Sequence, residues 1–296
     1  MLTTRFLARQ ALASLWMLTA CACHETPRGD SASAPIAHRV VSLSPSTTEA
    51  LAAIGARSTL VGRSRYCDYP PDVASLPSVG GYVDPNYEAI LALSPDLVIG
   101  ARGPAGPDLS SKLTARGVPT YFPVTESFDG IDAMLRGLGA KTGHLSEAEA
   151  LVVRLHADEA DVTHAVATSP PVRVLLLFGI TPIVAAGPGG FPDEMLRRAG
   201  GTNVVTEGGA YPTLGLEHVV ALDPDVILDS AWGEGEAKDR LGPTSPGWKE
   251  LSAVKAGRVI ALRDESVLRP GPRVAEGLRL LARAIHPDVV IPAPRP

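Results

Sequence analysis

Short apolar runs and amphipathic helical stretches alternate along this chain. Arg39-Val40-Val41-Ser42-Leu43 has the pattern of a short buried strand. A hydroxyl-rich turn, Ser44 to Glu49, leads into a helical run of Ala50, Leu51, Ala53 and Ile54 that Gly55 stops. Farther on, Glu88 to Leu93 predicts a helix ended ahead of Pro95, and Leu97 to Ile99 the strand after it. This unit recurs. Glu217 to Leu228 matches Glu88 to Ile99 at a constant offset of 129, with five of twelve positions identical and five more aliphatic for aliphatic. Arg173 to Leu177 mirrors the opening strand, and Glu194 to Gly200 mirrors Glu49 to Gly55. Two generic strand–helix units can look alike by composition, but a colinear order of elements argues for two related α/β lobes, 38–145 and 170–290. Between them, Ser146-Glu147-Ala148-Glu149 reads as a capping box, followed by an apolar stripe of Ala148, Leu151, Val152, Leu155, Val162 and Val166. Ser169-Pro170-Pro171 ends it. A helix of about 22 residues spans about 33 Å, enough for a strut between lobes over 146–169; an ordinary helix packed within the first lobe is the alternative.

The ends read differently. Arg5 and Arg9 precede the apolar run Ala11 to Leu18, a basic start and short apolar stretch that predict an export signal over 1–20. That run is shorter than the roughly 20 residues a membrane span needs. Leu18-Thr19-Ala20-Cys21 has the form of a lipoprotein cleavage box, with Cys21 as the lipidated residue and Cys23 as a weaker second candidate; an ordinary signal containing a cysteine is the alternative. Residues 21–37, rich in Ala, Ser and Pro, predict a flexible tether, and Ile291 to Pro296 a frayed tail.

Composition narrows the function. The 296 residues point to about two domains, and 45% hydrophobic with 20% charged residues excludes a mainly disordered or collagen-like chain. A net charge of −5, with no basic block, argues against nucleic-acid binding. Three cysteines are too few for a disulfide scaffold.

No catalytic constellation is evident. The phosphate-loop, nucleophile-elbow and HExxH motifs are absent. Ser252 to Lys255 fits SxxK but lacks its companion motifs, and Gly187 to Gly190 suits a turn better than a phosphate cradle. The seven histidines are scattered, with His156 and His164 reading as solvated helix positions, so no metal site is expected. Aromatic and arginine residues gather instead where strand ends should open between lobes. These are Tyr66, Tyr69 and Tyr82 in one loop, Arg102 and Gly103 after Leu97–Ile99, Phe178 at a strand end, Tyr211 ahead of the second repeated helix, and Trp232 after Val226–Leu228. Tyr82 and Tyr211 each stand six residues before their repeated glutamate, which places them on opposite walls of one cleft. Core filler is the alternative reading of these rings. A ring-lined cleft with few polar groups suits a large flat ligand.

Four stretches then carry a family resemblance: Arg39 to Glu49, Tyr66-Cys67-Asp68-Tyr69-Pro70-Pro71, Asn86 to Ile99 and Phe178-Gly179-Ile180. They resemble the periplasmic cobalamin-binding proteins, helical-backbone substrate-binding proteins of ABC importers, with haem and ferric-siderophore receptors as cousins. The resemblance runs from about Arg39 to Ile285 and is most particular at Asp68 to Pro71. It implies two Rossmann-like lobes with parallel sheets joined by a single long rigid helix, ligand held in the cleft between them, and no catalysis. It also implies that Glu88 and Glu217 dock onto arginines of the importer's membrane subunits; read alone, they suit helix first turns. Tyr66, Tyr82 and Tyr211 match pocket aromatics. Tyr82 and Tyr211 stand where a well-known cobalamin binder has Trp, and Ala101-Arg102 replaces its third pocket Trp. Gly81-Tyr82 also resembles haem receptors, in which the Tyr ligates iron, so haem is the alternative ligand. The expected protein is thus a monomeric, exported lipoprotein, periplasmic or at the cell surface. It has no cofactor of its own, binds no nucleic acid, and delivers a corrinoid, cobalamin, to a membrane permease. An enzyme on this scaffold and a sensor without an importer are the rival readings.

Overall fold

The computed structural model describes residues 35–81, 83–102, 106–231, 241 and 245–295. In chain order the first lobe comprises β1 (Val40–Ser42), α1 (Pro45–Ala53), β2 (Leu60–Arg63), α2 (Tyr87–Ala92), β3 (Leu97–Ile99), α3 (Gly106–Thr114), β4 (Thr120–Tyr121) and α4 (Phe128–Thr142). Its four strands are all parallel, in the order β2-β1-β3-β4. The long helix α5 (Leu145–Val166) follows. The second lobe holds β5 (Val172–Ile180), β6 (Ile183–Ala185), α6 (Phe191–Arg198), β7 (Gly201–Asn203), β8 (Thr213–Leu214), α7 (Leu216–Leu222), β9 (Val226–Asp229), α8 (Ser252–Lys255), β10 (Val259–Ala261) and α9 (Val274–Ile285). Here β7, β5, β9 and β10 reproduce the parallel set β2, β1, β3 and β4, and the antiparallel strands β6 and β8 extend the sheet.

The duplication reaches down to single hydrogen bonds. Asp96 Oδ2 and Oδ1 accept from the His38 and Arg39 N–H groups, and Arg39 donates to the carbonyls of Leu93 and Ser94 at the end of α2. In the second lobe Asp225 accepts from the Arg173 N–H, and Arg173 donates to the Leu222 carbonyl of α7. Each aspartate of the repeated Pro-Asp step therefore fixes the chain entering the central strand, and each arginine satisfies carbonyls that a helix C-terminus leaves open. Ser94 and Asp223 turn both helices at φ 46° and 38°.

One core runs through the whole body. The predicted α5 stripe is buried, packing on α4 at one side and α9 at the other, so the helix belongs to both lobes. Its buried face also carries Asp158, which accepts from Arg279 of α9 at 2.6 Å and from the Arg295 N–H at 3.0 Å. The outer faces of the two sheets carry separate apolar layers, as strands covered on both sides require.

Several local expectations need correction. The cap of α5 is His144, and Ser146 bonds to Glu147, so the capping box does not form. His156 is not only solvated: it is 54% exposed, yet its Nε2 lies 2.6 Å from Asp132 of α4. The tail is fastened rather than frayed. Ile291 is buried in the shared core, Arg279 donates to the Pro292 carbonyl, and Arg295 pairs with Asp161. Apolar burial and paired charge there outweigh the mobility that proline-rich ends suggest. The SxxK serine caps chain geometry instead of facing its lysine: Ser252 Oγ donates to Asp223, while Lys255 approaches Glu250. Gly187 to Gly190 form the turn before α6, with the Gly189 N–H donating to Asp193.

Candidate functional site: a cavity between the lobes

Both central strands, β1 and β5, have neighbours reached by crossovers on either side. In such sheets ligands bind beyond the carboxyl ends of the strands, where the winding direction reverses. A cavity of about 710 Å³ lies there. Arg65, Tyr66 and Asp68 approach it from the loop after β2, Ser230 from the end of β9, and residues between Leu262 and Pro270 from the segment after β10. A space of about 440 Å³ adjoins it, sharing Asp68, Arg263, Asp264, Glu265 and Arg269 and adding Tyr69 and Arg273. A groove of about 560 Å³ lies between α1, α5 and α9 on the strut side.

Tyr66 is 53% exposed, and the Arg65 guanidinium stands 5.3 Å from its ring centre. Arg65 is itself held by both oxygens of Asp84, at 2.5 and 2.6 Å. That pair raises the arginine's proton affinity and lowers the aspartate's, so both stay charged. The turn it closes depends on glycine. Gly80 sits at φ 97°, where a Cβ would strike the Asp84 carbonyl, and Gly81 lies against the ion pair itself.

The far side of the site joins the lobes. Glu49 of α1 is only 2% exposed; it accepts from Arg269 at 2.5 Å and from Arg273 at 2.8 and 3.1 Å. Arg269 also pairs with Glu265. Arg273 lies 4.4 Å from the Tyr69 ring centre, and its bonds to Glu49 hold its proton more tightly than an ordinary arginine's. The repeat-related Glu194 does similar work at the opposite seam. Its Oε2 accepts from the Phe128 N–H of the first lobe at 3.3 Å, and its Oε1 binds Arg198, which stacks over Phe128 at 4.0 Å.

The expected site residues fall into distinct groups. Tyr66 faces the interlobe cavity. Tyr69 turns away from it to Arg273 and borders the adjoining space and the strut-side groove. Phe178 lies within β5 rather than at its end and meets Tyr211 edge-on, with ring centres 5.3 Å apart at 66°. Tyr211 is 51% exposed; partial burial, and then the charge of Glu126, raise its phenol above the ordinary range. Arg102 is exposed and borders none of these three spaces. Tyr82, Gly103, Trp232 and Cys21 lie outside the described residues. Glu88 and Glu217 both occupy the second position of their helices, α2 and α7. Both are exposed, and among the described residues neither has an ion-pair partner.

The charged wall after β10 was missed. Arg263, Asp264, Glu265 and Arg269 follow the short apolar strand Val259–Ala261. Asking what stands beyond the carboxyl end of every strand, this one included, would have found them. Asp264, which accepts from the Ser266 N–H at 2.9 Å, is held below the usual carboxylate range by its contact with Ser266.

A profile described as periplasmic binding protein matches residues 40–266. The vitamin B12-binding protein of Vibrio cholerae serotype O1 is 30% identical over 246 residues, covering 82% of this chain and 87% of the relative. The cobalamin-binding protein of Halobacterium salinarum is 28% identical over 261 residues, covering 84% and 69%. Among solved structures, the periplasmic vitamin B12-binding protein BtuF of V. cholerae aligns with a TM-score of 0.73 at 30% identity, covering 85% of this chain and 98% of that one. The periplasmic heme-binding protein RhuT of Roseiflexus sp. RS-1 aligns with a TM-score of 0.76 at 30% identity, covering 84% and 98%. With both sheets, the helix between them and most of the cavity's lining inside the matched span, this chain belongs to the periplasmic binding protein family.

Proposed function

We propose that this chain is the substrate-binding lipoprotein of an ABC importer, capturing a corrinoid of the cobalamin class and presenting it to the membrane permease. The observation that carries this reading is the interlobe cavity itself. It opens at the carboxyl ends of both sheets, with Tyr66 on one wall and a polar, charge-paired segment on the other. A flat macrocycle with a hydrogen-bonding fringe matches such walls. The relatives named for vitamin B12 and cobalamin support that choice. The likeness to RhuT favours haem as the second reading. An absorbance titration of purified protein separates them. We expect cyanocobalamin to bind at one equivalent and haemin to bind more weakly; tight haemin binding without cobalamin binding would reverse the assignment.

In this reading residues 1–20 direct export and Cys21 carries the lipid. Mass spectrometry of the mature N-terminus checks it, and an unmodified terminus at another residue refutes it.

Glu88 and Glu217 are the docking pair of this proposal. Equivalent positions in two repeats give them approximate two-fold symmetry, which suits a symmetric partner offering paired basic pockets. Truncating one side of a desolvated carboxylate–arginine pair costs about 2 kcal/mol or more, roughly a 30-fold loss of affinity. Glu88→Ala with Glu217→Ala should therefore leave ligand affinity unchanged and cut transporter-complex formation in reconstituted vesicles. Normal complex formation would reject the docking role; a parallel loss of ligand affinity would assign these residues to fold or pocket.

A further inference from the structure

We propose that Asp68 sets ligand specificity, favouring a macrocycle fringed with neutral carboxamides over one fringed with carboxylates; the inference rests on the corrinoid reading of the same cavity. The charge balance around the cavity leads to this residue. Arg65 is committed to Asp84, and Arg269 to Glu49 and Glu265. Arg263 is engaged as well. Among the acids, Asp264 accepts from the Ser266 N–H at 2.9 Å, and Glu265 is taken by Arg269. Asp68 differs. It is exposed, and among the described residues it has no hydrogen-bond or ion-pair partner. It also borders both the main cavity and the adjoining space, so it stands at their junction, two residues from Tyr66. Arg65 and Arg269 are thus matched by carboxylates, and Asp68 is a carboxylate at the cavity with no partner among the described residues.

A carboxylate accepts hydrogen bonds and donates none. The edge of a corrinoid carries primary carboxamides, whose N–H groups donate to such an acceptor. The edge of haem carries propionates, which only accept and share its charge. A macrocycle lying against Tyr66 brings its edge toward Asp68, where the first fringe gains a charge-assisted bond and the second meets a like charge. The same position would admit either macrocycle if its side chain were neutral.

The test measures cyanocobalamin and haemin dissociation constants for the full mature chain and for Asp68→Asn and Asp68→Glu. Asn keeps the shape, removes the charge and adds a donor. The ratio of haemin to cyanocobalamin dissociation constants should fall about tenfold or more in Asp68→Asn, with haemin tightening, and should recover toward the native value in Asp68→Glu. Thermal melting of each variant reports folding. An unchanged ratio in a folded Asp68→Asn protein, or equal weakening of both ligands, overturns the specificity role while leaving the corrinoid assignment standing. A native chain that prefers haemin overturns the corrinoid assignment, and this inference with it.

Discussion

Glu49→Ala should lower the stability of this protein by about 3 kcal/mol, toward the lower end of what truncating one partner of a buried ion pair costs. The carboxylate is almost completely enclosed and holds Arg269 and Arg273 at once. Without it, two guanidinium groups with side chains only 15% and 22% exposed lose their counter-charge. Their residual access to water is why the low end applies. For a chain of this size a loss of 3 kcal/mol lowers the melting temperature by roughly 6–12 °C. Glu49→Gln should fall between, since it keeps the shape and one acceptor. Thermal and urea denaturation read both variants. A melting temperature within 1 °C of native for Glu49→Ala would show that the contact contributes nothing net. Replacing all three residues with well-packed apolar ones is a different experiment and need not destabilise at all.

Tyr66→Ala combined with Tyr211→Ala should weaken corrinoid binding about 100-fold or more. Buried aromatic anchors at interfaces are commonly worth about 2 kcal/mol each when truncated. Tyr66 lines the cavity, whereas Tyr211 on the other lobe borders none of the three spaces described, so the Tyr66 loss should dominate and the pair should cost less than the sum. Tyr211 also supports Phe178 through an edge contact, and its removal loosens a second ring. Tyr66→Phe, which keeps the flat surface and loses only the hydroxyl, should retain most of the affinity. Isothermal titration with cyanocobalamin measures each change. Native affinity in a folded double variant would remove these rings from the ligand site.

The duplicated architecture was legible because it is written in local residues. Each Pro-Asp step, each arginine ahead of a central strand and each short aliphatic run acts within its own lobe, and the structure joins Arg39 to the end of α2 and Arg173 to the end of α7. The α5 stripe was legible for the same reason: helical spacing shows which face is buried. Contacts between distant segments were not. Glu49 and Arg269 are 220 residues apart, and nothing in a helix-borne glutamate tells whether it meets solvent or an arginine from another lobe. Its equivalence to Glu194 was visible, but the shared task of reaching across a seam was not. The tail misled because proline content reports backbone freedom and not the fit of Ile291 into a distant core. The rings were found by type, but only the fold separates Tyr66, facing the cavity, from Tyr69, turned to Arg273.

Because α5 packs into α4 and α9 alike, and a glutamate stitches each seam, the angle between the sheets should change little once the chain has folded. An arriving ligand should then meet a competent shape immediately. No closed form has to be recruited from an open majority, so intrinsic affinity is not divided by a small competent fraction. Small-angle scattering of empty and loaded protein should superimpose. The same rigidity removes the outward sign of occupancy that a closing receptor gives. A partner that must tell full from empty has to sense the ligand, or the rim it touches, directly.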